Sequence, residues 1–210
     1  MTGPIVLIPA YDAAGSIGKI LDGVRLAAPG LPVLVVDDGS RDATAQAARA
    51  AGAEVRSHEV NRGKGAALRT GFAEALLRGA SGVVTLDADG QHPPELVPRF
   101  LEASAGADLV LGCRMDEARA MPWLRRQANR FASRMVSALS GQGIRDSQCG
   151  YRWISAEVLR KVPLRTEHYE TESELLVLTA RAGFRIAEIP VPAIYAGERS
   201  GIRKVRASAL

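Results

Sequence analysis

Through the first half of the chain, short apolar runs alternate with segments whose apolar residues recur every three or four positions. PIVLIPA, from Pro4 to Ala10, is such a run ending at a turn, and Ser16 to Ala28 carries a helical pattern with Ser16 as its candidate N-cap. The couplet then repeats. LPVLVVDDGS predicts a second strand and DATAQAARAAG an Ala-rich helix stopped by Gly52. AEVRSHEV predicts a third strand, NRGKGAALRTGFAEALLRG a loop and helix, and SGVVTLDAD a fourth strand. PPELVPRFLEAS opens with proline where a first helical turn accepts it, and ADLVLGCR is a fifth strand.

Beyond Arg114 the rhythm changes. From Met121 to Leu139, apolar residues at Met121, Leu124, Ala128, Phe131, Met135 and Leu139 form a helical stripe, with Arg126, Arg130 and Arg134 on another face. Two placements fit: a core helix with a solvated basic face, or a basic amphipathic helix lying on an anionic membrane. Trp123 and Trp153 fit either interfacial anchoring or packing. After a break at Gly141 and Gly143, ESELLVLTARAG predicts a helix, FRIAEIPVPAIY a strand, and the basic AGERSGIRKVRASAL a flap.

Strands alternating with helices at this spacing predict an α/β fold, a mostly parallel central sheet with helices on both faces, in one domain over residues 1–210. Ligands of such sheets sit outside the carboxyl ends of the strands. Polar residues crowd there: Tyr11 and Asp12, Asp37 and Asp38, Asn61 to Lys64, Asp87 to Gln91, and Arg114.

Composition adds exclusions. Apolar content is that of a globular protein, and no segment approaches the roughly 18 uninterrupted apolar residues of a membrane span. The start lacks a basic n-region, so the expected location is cytoplasmic. Cys113 and Cys149 have no metal-ligand spacing and are expected as reduced thiols. A net charge of +4 does not call for nucleic acid; it suits a phosphate-bearing small molecule or an anionic membrane surface.

Asp87 and Asp89, two apart at a strand end, share a side if the extended geometry persists, and two carboxylates together favour a cation. Gln91 could add an oxygen. The same pair alone equally reads as turn and helix caps. In VVDDGSRDAT, a carboxylate at the strand end can accept from a ribose hydroxyl or a base N–H, whereas Asp42 with Thr44 reads as a cap. NRGKG places Lys64 before a helix amino terminus, where anions are favoured, though it is not a GxxxxGK[ST] loop. His58, His92 and His168 show no ligand spacing.

Taken in order, PAYD, VVDDGSRDAT, NRGKGAALRTG, DADGQHPPE, GCR and DSQCGYR resemble glycosyltransferase family 2, with its GT-A fold, and within it the polyprenyl-phosphate (dolichyl-phosphate) mannosyl- and glucosyltransferases. The likeness runs from about Pro4 to Arg203. It implies an inverting transfer of a sugar from a nucleoside diphosphate-sugar, with Mg²⁺ or Mn²⁺, to a polyprenyl phosphate acceptor met at the inner face of a membrane. About 1–115 would be the nucleotide-sugar half and about 116–210 the acceptor side. Residue by residue, Pro9 and Tyr11 match the pair bracketing the base, Asp37 and Asp38 the acids for base and ribose, and Asp87, Asp89 and Gln91 the metal and sugar-diphosphate cluster. Lys64 joins the nucleotide-sugar contacts by its place in the phosphate-loop-like segment. Arg114 matches an arginine near the diphosphate. Asp146 lies in the acceptor-side segment and is the candidate base, against a structural role as turn or cap. Arg199, Ser200 and Lys204 resemble a basic loop closing over the donor. Family members usually read Tyr-Asn-Glu where Tyr11 is followed here by Asp12 and Ala13, so the glutamate contact is absent or supplied by Asp12.

Rival classes make other demands. A nucleotidyltransferase would carry basic residues after the first strand, where PAYDAAGS has none, and a dehydrogenase would carry GxGxxG after a strand. A hydroxyl-acceptor transferase, or a non-catalytic sugar-nucleotide module of the same fold, shares the motifs and differs only at the acceptor or in turnover.

Overall fold

The computed structural model of the protein describes residues 3–116, 121–166 and 170–194. Its strands are β1 (Ile5–Ala10), β2 (Val33–Asp37), β3 (Glu54–Ser57), β4 (Gly82–Thr85), β5 (Leu109–Cys113), β6 (Arg152–Ser155) and β7 (Ile186–Pro190). The helices are α1 (Ile17–Ala27), α2 (Thr44–Ala50), α3 (Lys64–Leu77), α4 (Val97–Ala103), α5 (Trp123–Ser140), α6 (Ala156–Lys161) and α7 (Glu170–Arg181), with a 3₁₀ turn at Pro94–Leu96 before α4.

The sheet has the order β3-β2-β1-β4-β6-β5-β7. All pairings are parallel except those of β6, which runs antiparallel to both β4 and β5. Strands buried on both faces read as unbroken apolar runs, and Val6, Leu7, Ile8, Val35, Val36, Val83 and Val84 are all fully buried. Each such side chain contributes about 1.5–3 kcal/mol by burial. Helix α1 contacts both α2 and α4, while α3, α6, α7 and α5 form a second contacting set, one set for each face of the sheet.

The predicted strands and helices of the first half are all present. β6 and α6 have no counterpart among the predicted elements. β6 is a four-residue strand that opens on a fully buried arginine, Arg152, so its pattern is not that of a core strand. Arg152 is tolerated because its guanidinium donates to the carbonyls of Cys149, Glu172 and Ser147 at 2.8–2.9 Å. Being antiparallel, β6 starts at the rim where the parallel strands end. It therefore brings the 146–151 segment to the ligand side of the sheet.

The largest departure is the orientation of α5. Its buried residues are Asn129, Ser133 and Val136, while Leu124 (74% exposed) and Phe131 (68% exposed), with Trp123, Met135 and Leu139, face out. The core-helix placement is thereby corrected. The inward positions of α5 serve a buried polar network described below, so its apolar stripe is turned away from the protein. Trp153, by contrast, is core.

Candidate functional site

A cleft of about 480 Å³ opens at the carboxyl ends of β1, β2 and β4, a size ordinary for a small-molecule site. Pro9, Tyr11, Asp38, Lys64, Asp87 and Asp89 all line it. Asp37, Gln91, Arg114 and Asp146 are not among its lining residues.

One wall is a platform made by the loops after β1 and β2. Asp12 sits at φ 48, a left-handed conformation that aspartate tolerates better than most residues. Its N–H donates to Ser40 Oγ at 3.0 Å and its Oδ1 accepts from Arg41 N at 2.8 Å. Ala13 N donates to Thr44 Oγ1 at 2.7 Å and Ala14 N to Asp42 Oδ2 at 3.1 Å. Asp42 also accepts from Thr44 N at 3.0 Å, holding the first residue of α2, whose N-cap position is Ala43. Asp12 thus locks two loops together, with Tyr11 part-exposed beside it at the cleft. Ser16 makes no side-chain cap on α1, contrary to expectation; its hydroxyl donates to Ala88 O at 2.6 Å, tying the start of α1 to the Asp87–Asp89 turn.

The acidic pair after β2 is organised differently from the sequence expectation. Asp37 is buried and its Oδ1 accepts from Ser40 N at 3.2 Å, closing the turn. Asp38 lines the cleft, yet its carboxylate accepts from Arg62 N (3.0 Å), Gly63 N (2.8 Å) and His58 Nδ1 (2.6 Å). His58 reaches on to Thr70 Oγ1 at 2.9 Å. Asp38 thus folds the 61–63 loop onto the rim while staying on the cleft wall, and Asp37 is not among the lining residues. Two N–H groups of the phosphate-loop-like segment are consequently taken by Asp38, and the segment meets the cleft through Asn61, Gly63 and Lys64. Gly39 makes the packing possible: a Cβ there would lie 2.5 Å from the Val60 carbonyl carbon.

β4 ends at Thr85, and the chain turns through 88–90 with Gly90 at φ 78. Asp87 and Asp89 therefore do not share a strand face; both reach the cleft from a turn instead. Asp89 is exposed, and its Oδ1 accepts from Gln91 N at 2.9 Å. Asp87 is drawn inward, its Oδ1 2.6 Å from Lys64 Nζ. Burial opposes its ionisation, but the Lys64 ammonium and other cationic neighbours outweigh burial and hold it down to about 2. Behind it lies His92, buried, stacked on Tyr151, and accepting from Asp87 N at Nδ1 at 3.1 Å. Burial lowers the His92 pKa. A neutral ring with Nδ1 as acceptor carries its proton on Nε2, 3.8 Å from Asp87 Oδ2. His92 shapes the aspartate from behind.

Gly150 completes this backing. Thr85 Oγ1 donates to its carbonyl at 2.7 Å, and a Cβ on it would stand 2.6 Å from Asp87 Oδ2. Gly150→Ala is expected to displace the Asp87 carboxylate while leaving the fold intact, weakening by about tenfold or more the binding of any ligand that Asp87 holds. Calorimetric titration beside a thermal melt checks this; unchanged binding would show that Gly150 does not set the position of Asp87.

Asp146, the candidate base, is fully buried. Its carboxylate accepts from Arg114 N (2.9 Å), Arg114 Nε (2.8 Å), Arg114 Nη2 (2.9 Å) and Asn129 Nδ2 (2.7 Å). Burial pushes its pKa up, but the Arg114 guanidinium and Asn129 more than offset that and lower it. A carboxylate that already accepts four hydrogen bonds is a poor proton acceptor, and Asp146 is not among the residues lining the cleft. In this geometry Asp146 anchors the Arg114 side chain, which is part-buried and does not line the cleft. Ser133 and Ser147 extend the network, with Ser133 Oγ 3.0 Å from Asn129 Oδ1 and 3.2 Å from Ser147 Oγ. Arg199, Ser200, Lys204 and His168 lie outside the described residues.

His58, His92, Gly150 and Glu172 were the residues that motif reading passed over or left without a task. His92 and Gly150 carried a signal, since each lies inside a quoted motif; Glu172, which reaches Lys64 from α7 at 3.3 Å, carried none. Among the described residues no group of three or more His, Cys, Asp or Glu side chains converges as a metal cage. Two carboxylates on one cleft fit the other way of holding a hard divalent ion, in which substrate phosphates complete the coordination. The thiols of Cys113 and Cys149 are free and buried, pushed up by that burial to about 11 and about 12, so they are inert as nucleophiles. No helix of the described residues is long and apolar enough to cross a membrane.

The model of glycosyl transferase family 2 matches residues 5–163. Polyprenol monophosphomannose synthase of Mycolicibacterium smegmatis is 36% identical, the match covering 97% of this chain and 81% of the relative. Undecaprenyl-phosphate mannosyltransferase of Micrococcus luteus is also 36% identical, over 89% of this chain and 82% of the relative. Among solved structures, glucosyl-3-phosphoglycerate synthase of Mycobacterium tuberculosis, in complex with Mn²⁺, UDP and glucosyl-3-phosphoglycerate, superposes with a TM-score of 0.76 at 26% identity, covering 94% of this chain and 72% of that one.

Proposed function

This chain belongs to glycosyltransferase family 2, and on that footing we propose that it moves a sugar from a nucleoside diphosphate-sugar to a polyprenyl phosphate at a membrane surface, with inversion. The donor lies in the cleft, its base beside Pro9 and Tyr11 and its diphosphate toward Lys64, Asp87 and Asp89. Asp87 and Asp89 would hold Mg²⁺ or Mn²⁺, which would supply positive charge beside the departing diphosphate. The solved neighbour that holds Mn²⁺ and UDP supports this half of the reading.

The chain's own groups account for the rest. Glycosidic cleavage builds negative charge on the leaving oxygen, and the Lys64 ammonium at the start of α3 lies where that charge grows. His92 and Gly150 hold Asp87 in position from behind. A phosphate acceptor is already an anion and needs no proton removed, which suits a site whose candidate base is sealed behind Arg114.

The observation that carries the acceptor is the outward apolar stripe of α5. Leu124, Phe131, Met135 and Leu139 lie on the side opposite the buried Asn129 and Ser133, with exposed Arg130 and Arg134 alongside. An apolar ridge bordered by arginines is matched to the boundary between acyl chains and anionic headgroups. The relatives named for polyprenol and undecaprenyl phosphate point the same way.

The test is transfer of labelled sugar from a panel of nucleoside diphosphate-sugars to polyprenyl phosphate in anionic vesicles, beside soluble hydroxyl acceptors. Label is expected in the lipid fraction. Leu124→Gln with Phe131→Gln is expected to keep donor binding and lose about tenfold or more of transfer to vesicle-held acceptor. Label appearing solely on hydroxyl acceptors, or a double variant as active on vesicles as wild type, would overturn the lipid reading.

A further inference from the structure

Lys64 stands between two acids. Its Nζ is 2.6 Å from Asp87 Oδ1 and 3.3 Å from Glu172 Oε1, and the three side chains are only 20%, 23% and 11% exposed. Beyond Glu172 lies Arg152, Nη2 to Oε1 3.9 Å. Asp87, Glu172, Lys64 and Arg152 thus form a group of two anions and two cations with little water to screen it.

A divalent ion on the Asp87–Asp89 pair would contact a carboxylate oxygen at roughly 2.0–2.2 Å. The ammonium already occupies Asp87 Oδ1 at hydrogen-bond distance, and two cations on one carboxylate repel each other strongly at this burial. The ion and Lys64 therefore compete for Asp87. Lys64 has somewhere to go: it lines the cleft at the first turn of α3, on a flexible four-carbon stem, and Glu172 keeps it paired as it swings. A diphosphate in the cleft is a stronger attractor for it than Asp87 alone.

We propose that Lys64 is a resident counter-ion of Asp87 that the donor diphosphate draws away, so that nucleotide and divalent ion enter the site as an obligately coupled pair. The inference rests on the donor and metal reading given above. When Lys64 turns to the diphosphate, Asp87 loses its cation and the divalent ion replaces it; when the diphosphate leaves, Lys64 returns and the ion is expelled. The coupling is reciprocal: whatever factor the nucleotide adds to ion affinity, the ion adds to nucleotide affinity.

The experiment is Mn²⁺ titration followed by electron paramagnetic resonance, with Mn²⁺ alone and with saturating GDP or UDP, corrected for Mn²⁺ bound by the nucleotide without protein. Wild type is expected to bind Mn²⁺ about tenfold or more tighter when nucleotide is present. Lys64→Met is expected to bind Mn²⁺ alone about tenfold tighter than wild type does, with nucleotide adding little. Glu172→Gln, which leaves Lys64 more committed to Asp87, is expected to weaken binding of Mn²⁺ alone; it carries the test if Lys64→Met does not fold. Lys64→Met binding Mn²⁺ alone no better than wild type, or Glu172→Gln binding it no worse, would overturn the counter-ion proposal. Wild type failing to bind Mn²⁺ even with nucleotide would instead overturn the metal reading on which it rests.

Discussion

Asp89→Ala is expected to lower kcat/KM for sugar transfer by about 10²–10³-fold or more and to abolish metal-dependent binding of nucleoside diphosphate. Asp89 is the exposed member of the acidic pair, on a turn that its carboxylate helps close by accepting from the Gln91 N–H at 2.9 Å. Removing it takes nothing from the core, so the melting temperature should stay within a few degrees of wild type. Asp87 alone leaves the ion one carboxylate on the cleft where the pair supplies two. Binding isotherms with and without Mn²⁺, beside steady-state rates, decide the matter. A variant that binds nucleotide with undiminished dependence on Mn²⁺ would refute the assignment of Asp89 to the metal.

Asp146→Ala is expected to act on stability first. The substitution leaves the Arg114 guanidinium, only 13% exposed, without its two bonds to Asp146 and leaves Asn129 Nδ2 without its acceptor. Breaking a buried pair from one side costs about 3–5 kcal/mol, readable as a fall in the urea midpoint at unchanged slope. The pH dependence has a definite sign. The Asp146 pKa is lowered in the folded protein, so the ionised pair stabilises above the ordinary carboxylate range and that stability is lost as pH falls through the lowered value. Wild type should therefore lose stability on acidification more steeply than the variant. Had Asp146 been a general base, its removal would spare stability and abolish turnover; a variant of normal midpoint and no activity would restore that role.

Much of the site was legible because parallel strands buried on both faces announce themselves as apolar runs, and their ends are where polarity begins. The rim from Tyr11 to Asp89 followed directly. What each polar residue does there did not follow, since it depends on which donors the fold brings to it. Asp38 and Asp146 are both acids in recognisable motifs, and both turn out to be saturated by backbone or arginine donors from segments remote in sequence. Hydrophobic periodicity gave the stripe on α5 but not its direction. A period identifies a face, and only the neighbours decide whether that face turns in; here Asn129 and Ser133 are claimed by Asp146 and Ser147. β6 escaped because its buried arginine is paid for by three carbonyls that no local pattern reveals.

The place of β6 in the sheet also orders the making of the protein. Strands β3, β2, β1 and β4 are contiguous in space and complete before β5 is synthesised, so the donor-side sheet can close while the chain is still being translated. β5 cannot join it: its neighbours are β6 and β7, both still to come. Until Arg152–Ser155 emerges, β4 remains an open edge and β5 a strand without a partner, which makes this interval of translation the one most exposed to mispairing and chaperone capture.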